Sequence, residues 1–72
     1  MINAFFEGDI LNIWVNGQCS ITQDYSFYTN KSVCVSGNTV RAMMYAPGNS
    51  RYCMVFEYDN NGNMTNMYQD MV

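Results

Sequence analysis

Turn-forming dipeptides recur along this chain at near-regular intervals: Asn16-Gly17, Asn30-Lys31, Gly37-Asn38, Pro47-Gly48 and Asn61-Gly62 separate short runs of aromatic and β-branched residues. Asn and Gly reach the positive φ values that two-residue hairpin loops demand, so the spacing predicts strand after strand joined by tight turns. The expected fold class is all-β, a small antiparallel meander of five to seven short strands. It either curls into a barrel or packs as a two-layer sheet, in a single domain over residues 1–72.

Residues 2–6 predict a first strand and Glu7-Gly8-Asp9 a turn. Ile10 to Val15 and Gln18 to Gln23 should pair around Asn16-Gly17, with Val15 facing Gln18, Trp14 facing Cys19, Ile13 facing Ser20 and Asn12 facing Ile21. Side-chain alternation then lines Leu11, Ile13 and Val15 along one face, and Ile10, Trp14, Cys19 and Ile21 along the other. Tyr25 to Tyr28 is expected to pair with Val33 to Val35. Ser36-Gly37-Asn38-Thr39 carries the Gly-first signature of a type II′ turn, which sets Val35 opposite Val40 and Cys34 opposite Arg41. The run Arg51 to Tyr58 is the most strand-like in the chain, with apolar residues on both of its faces.

Two readings are open for the last ten residues. Met64, Met67, Tyr68 and Met71 fall at i, i+3, i+4 and i+7, the stripe of a short C-terminal helix that Asn63 could cap. Alternatively the hairpin continues past Asn61-Gly62, pairing Tyr58 with Thr65 and Phe56 with Met67. The stretch Phe56-Glu-Tyr-Asp-Asn-Asn-Gly-Asn-Met-Thr65 resembles one unit of the YD repeats that wind into large toxin-encapsulating shells. Such shells need many units and this chain has one, so the resemblance implies hairpin chemistry and no function.

A core of this size leaves only about 3–5 kcal/mol after entropy is subtracted, so a further source of stability is expected. Three cysteines, Cys19, Cys34 and Cys53, form no CxxC, and with no histidine in the chain a zinc site has no ligand set. The cysteines are expected to be reduced, buried and structural. No metal and no cofactor is expected. The opening Met-Ile-Asn-Ala-Phe-Phe-Glu has neither the basic n-region nor the apolar h-region of a signal peptide, and no run approaches the ~20 apolar residues of a membrane span, so the expected location is cytoplasmic. Three cations stand against six acids, a net charge of −3. Without a basic stripe there is no surface for a phosphate backbone, which excludes direct nucleic-acid binding.

Catalytic parts are missing as well. The carboxylate pairs Glu7/Asp9 and Glu57/Asp59 would share a face only if their backbones stayed extended, and both pairs flank turns. No imidazole can activate a Ser, Thr or Cys, and Lys31 is placed in a turn, in solvent. The glycines fall singly rather than in a phosphate loop. The chain is therefore expected not to be an enzyme.

What remains is a surplus of aromatic and methionine side chains, either the core itself or an interface. Tyr25, Tyr28, Tyr45 and Tyr58 are the candidate partner-binding anchors, with Glu57 and Asp59 as steering charges. The expected function is that of a small binding protein, a stoichiometric inhibitor of a larger cytosolic protein, of the kind phages and mobile elements use to block host defence. The alternative is a small-ligand-binding or sequestering protein with its site at a homodimer interface, lined by Tyr and Arg41 or Arg51. Two-sided apolar strands at Ile10–Val15 and Arg51–Tyr58 predict a homo-oligomer in either case.

Overall fold

A computed structural model describes residues 1–49 and 51–71. Seven strands follow in chain order: β1 (Ile2–Glu7), β2 (Ile10–Val15), β3 (Gln18–Asp24), β4 (Thr29–Ser36), β5 (Thr39–Tyr45), β6 (Tyr52–Tyr58) and β7 (Met64–Met71). Each hydrogen-bonded pair is antiparallel and joins neighbours in the chain, giving one sheet in the order β1-β2-β3 and a second in the order β4-β5-β6-β7. β1 lies against β4, so the meander folds over after β3 into two layers. Overall extents of 36 × 22 × 15 Å match two sheets stacked face to face, the second of the two expected architectures, rather than a closed barrel.

The core sits where the two inner faces meet. β2 supplies Leu11 and Ile13, β5 supplies Val40, Ala42 and Met44, and β6 supplies Phe56 and Tyr58, with Tyr25 entering from the turn after β3. Each fully buried side chain of this size contributes about 1.5–3 kcal/mol relative to exposure. Ile2, Ala4, Phe6, Val15, Ile21, Tyr28, Val33 and Met54 pack around that nucleus.

The tight turns form as their residues dictate. Asn16 and Gly17 have φ of 53° and 81°, the two positive values of a type I′ turn, and Gly37 alone is positive in the next hairpin, as type II′ requires. Val15↔Gln18, Trp14↔Cys19, Val35↔Val40 and Cys34↔Arg41 are the observed partners.

Elsewhere the structure corrects the expectation, and the reason is one extra residue each time. A bulge at Ser20 sets Ile13 opposite Ile21 and Asn12 opposite Thr22, so Ile21 turns inward onto the core instead of sharing a face with Trp14. Asn30, with φ 52°, makes no hairpin turn: it marks a bulge inside β4, between the pairs Thr29↔Tyr45 and Ser32↔Met43. The actual turn is Tyr25–Tyr28, expected as strand, where the Tyr28 N–H donates to the Tyr25 carbonyl at 3.0 Å.

Residues 64–71 form strand β7, not a helix. Phe56 faces Met67, but a third bulge at Thr65 sets Tyr58 opposite Met64. A helix would forfeit the whole ladder to β6, which an intrinsic preference of a few tenths of a kcal/mol per residue cannot offset. The cysteines are unpaired, yet Cys19 and Cys34 are exposed and Cys53 is half-buried, because all three point away from the core. Among the described residues no helix is long and apolar enough to cross a membrane.

Candidate protein-binding surface

The outer face of the four-stranded sheet is where a surface with chemistry of its own assembles. Val40, Ala42 and Met44 of β5 are fully buried, so the alternate residues Arg41, Met43 and Tyr45 face outward. Strand pairing then lays out three rows across the sheet: Cys34–Arg41–Glu57–Asn66, Ser32–Met43–Val55–Tyr68 and Thr29–Tyr45–Cys53–Asp70. An outward face of an antiparallel sheet is ordinarily polar. Here the middle row is apolar from Met43 to Tyr68, and Val55 within it is only 3% exposed.

Charge borders that row on one side. The Arg41 Nε donates to Glu57 Oε2 at 2.8 Å, and Asn66 Nδ2 donates to the other carboxylate oxygen at 3.4 Å. The guanidinium bond, aided by Asn66, holds the Glu57 carboxyl below the usual carboxylate range. In return Glu57 raises Arg41 further above its ordinary value.

The expected anchors do not gather into one patch. Tyr25 and Tyr58 are 5% and 1% exposed, and their hydroxyls hydrogen-bond each other in the core, which removes both from the surface. Burial is the main cause that raises both phenols above their ordinary value; the shared hydrogen bond adds to it at Tyr25 and opposes it at Tyr58. Tyr28 is half-buried and packs edge-on against Tyr25 and Phe56. Tyr45 alone lies on the outer face, half-exposed.

Of the two steering charges, Glu57 is on that face but engaged with Arg41, and Asp59 is a turn residue. Asp59 Oδ1 accepts the backbone N–H groups of Asn61 at 2.8 Å and Asn63 at 2.9 Å, which lowers its carboxyl below the ordinary value. Lys31 is not in solvent: its side chain is 12% exposed, its Nζ meets Asp9 Oδ1 at 2.8 Å and it donates to the Tyr28 carbonyl at 2.7 Å. Asp9 is thereby taken from the Glu7/Asp9 pair, as Glu57 is from the other.

Met43 and Tyr68 were not among the expected anchors. The alternation of β5 could have indicated Met43, and Tyr68 follows from the strand reading of the last ten residues, which pairs Phe56 with Met67 and so Val55 with Tyr68, but not from the helical one. Among the described residues no group of three or more His, Cys, Asp or Glu could hold a metal ion. An open cleft of about 560 Å³ lies over Thr29, Asn30, Tyr45, Ala46, Gly48 and Asn49, and none of its lining residues is charged. Set against protein-family models, curated proteins and solved structures, the chain matches none.

Proposed function

We propose that this is a non-enzymatic protein-binding module of the cytoplasm that acts stoichiometrically by covering a surface of a larger protein with the outer face of its four-stranded sheet. The observation that supports this reading is the in-register row Met43–Val55–Tyr68 on a face where alternation calls for polar residues. Tyr45 beside it and the Arg41–Glu57 pair bordering it supply the aromatic anchor and charged rim that protein interfaces favour. The small-ligand alternative, with a site lined by Tyr and Arg41 or Arg51, loses support from the engagement of Arg41 by Glu57.

Capture from a lysate of the source cells tests the proposal. Tagged protein should retain one protein in equimolar amount, and Tyr45→Ala and Met43→Asp should each abolish retention while leaving the circular dichroism unchanged. Retention that survives both substitutions would remove the outer face as the docking surface. Turnover of a substrate by the purified chain would place the protein in another class altogether.

A further inference from the structure

The edge of the same sheet carries a separate feature. β7 pairs with β6 on one side only, and every one of its residues is exposed. Its inner-face residues continue the core face of β6: Met67 is opposite buried Phe56, Gln69 opposite Met54 and Met71 opposite Tyr52. The three-stranded sheet does not reach that far, so Met67 and Met71 stand 58% and 72% exposed. Natural edge strands are blunted with Lys, Pro or inward charge, but between Asn66 and Met71 the one charged residue is Asp70, which points outward.

The order of side chains along this edge is symmetric about Gln69: Met67 and Met71 lie two residues to either side, with Tyr68 and Asp70 between. A two-fold axis perpendicular to a sheet makes one residue face its own copy and keeps like faces together. Centring the axis on Asp70 apposes two carboxylates. Centring it on Met67 sets Asp70 against Met64, and centring it on Tyr68 sets Met71 against Thr65. With Gln69 at the centre, Met67 meets Met71 of the second copy on the inner side, twice. On the outer side Asp70 meets the second copy's Tyr68, whose hydroxyl can donate to it.

We infer that β7 pairs antiparallel with β7 of a second copy, Gln69 opposite Gln69, joining the two four-stranded sheets into one of eight strands. The exposed parts of the residues this register brings together, Met67, Met71 and Tyr68, amount to roughly 330 Å² per copy, and Gln69, Asp70 and the free backbone edge of β7 are covered with them, an interface of the small, transient class. The dimer is therefore expected to be weak, in the high-micromolar range, and since each copy carries a charge of −3, it should tighten as salt is raised. This inference does not depend on what the outer face binds.

Sedimentation equilibrium over a concentration series tests the association, and cysteine cross-linking tests the register. Wild-type protein should reach the dimer mass, and Met67→Lys, at a solvent-exposed position, should raise the dissociation constant by about tenfold or more with an unchanged circular dichroism spectrum. In a background of Cys19→Ser, Cys34→Ser and Cys53→Ala, Gln69→Cys should oxidise rapidly to a covalent dimer, because residues facing each other across paired strands lie within disulfide reach, whereas Asn66→Cys should not. A wild-type protein that stays monomeric at its solubility limit overturns the inference and leaves β7 to a foreign strand. A dimer indifferent to Met67→Lys, or cross-linked through Asn66→Cys in preference to Gln69→Cys, overturns it equally.

Discussion

Two of the edge strands, β3 of one sheet and β7 of the other, are finished differently. β3 is polar, is kinked by its bulge at Ser20 and is partly covered by the β6–β7 turn, since Ser20 Oγ donates to the Asn61 carbonyl at 3.2 Å and the buried Gly62 sits directly over it. Its far end runs into a turn capped by Asp24, whose Oδ1 accepts the Ser26 N–H at 2.7 Å. β7 has its bulge at one end only and methionines along its inner face. Both bulges sit near the start of their strands, so what protects β3 is the β6–β7 turn seated on its bulge, and nothing comparable covers Asn66 to Met71 of β7.

The largest expected effect contrasts equivalent inward positions on the two edges. Ile21→Asp should cost about 3 kcal/mol in urea unfolding, because the bulge turns Ile21 onto the core and a carboxylate there has no partner. A loss near zero would mean that β3 does not seal the core. Gly62→Ala comes next, at about 2 kcal/mol, since φ is +83° and the new Cβ would stand 2.6 Å from Ser20 Oγ. Ser20→Ala in the same chain should recover part of that loss; no recovery would assign the whole cost to the backbone.

Tyr25→Phe should cost about 1–2 kcal/mol by leaving the Tyr58 hydroxyl buried without a partner, and the double variant Tyr25→Phe/Tyr58→Phe should be no worse than the single. Additive losses in that cycle would show that the hydroxyls do not depend on each other. Titration sharpens the contrast at smaller scale. Both phenols are raised by burial in the folded chain, so their contribution is complete below the unfolded value of 10.0 and is lost as pH rises above it, giving alkaline unfolding. Asp24, Glu57 and Asp59 are lowered, so their contribution is present above the unfolded values of 3.8 to 4.5 and fades as pH falls below them. The smallest effect belongs to β7: Met67→Asp should change monomer stability by no more than about 0.5 kcal/mol.

The two-residue turns at Asn16-Gly17 and Gly37-Asn38 were legible because glycine and asparagine carry their own conformational preference, and the pairs beside them followed, as at Val15↔Gln18 and Val35↔Val40. Ser20, Asn30 and Thr65 were not legible, because a bulge is decided by which side chains the completed core accepts, not by the bulged residue. Those three insertions account for most of the misplaced residues: Ile21 on the wrong face, Lys31 in solvent, Tyr58 opposite Thr65. The burial of Tyr25 and Tyr58 has another cause. A tyrosine beside a turn is ordinarily at the surface, but two that converge across the core satisfy each other's hydroxyl and can be buried together.

Because each hydrogen-bonded strand pair joins neighbours in the chain, the loops to be closed during folding are short, and loop-closure entropy is small for an all-β protein. The two meanders can each zip from their hairpins, leaving the docking of one sheet on the other as the costly step. The Tyr25–Tyr58, Ser20–Asn61 and Asp9–Lys31 contacts all belong to that step. Substitutions there, and changes that weaken the β6–β7 ladder formed before that step, should both slow folding in stopped-flow experiments rather than speed unfolding.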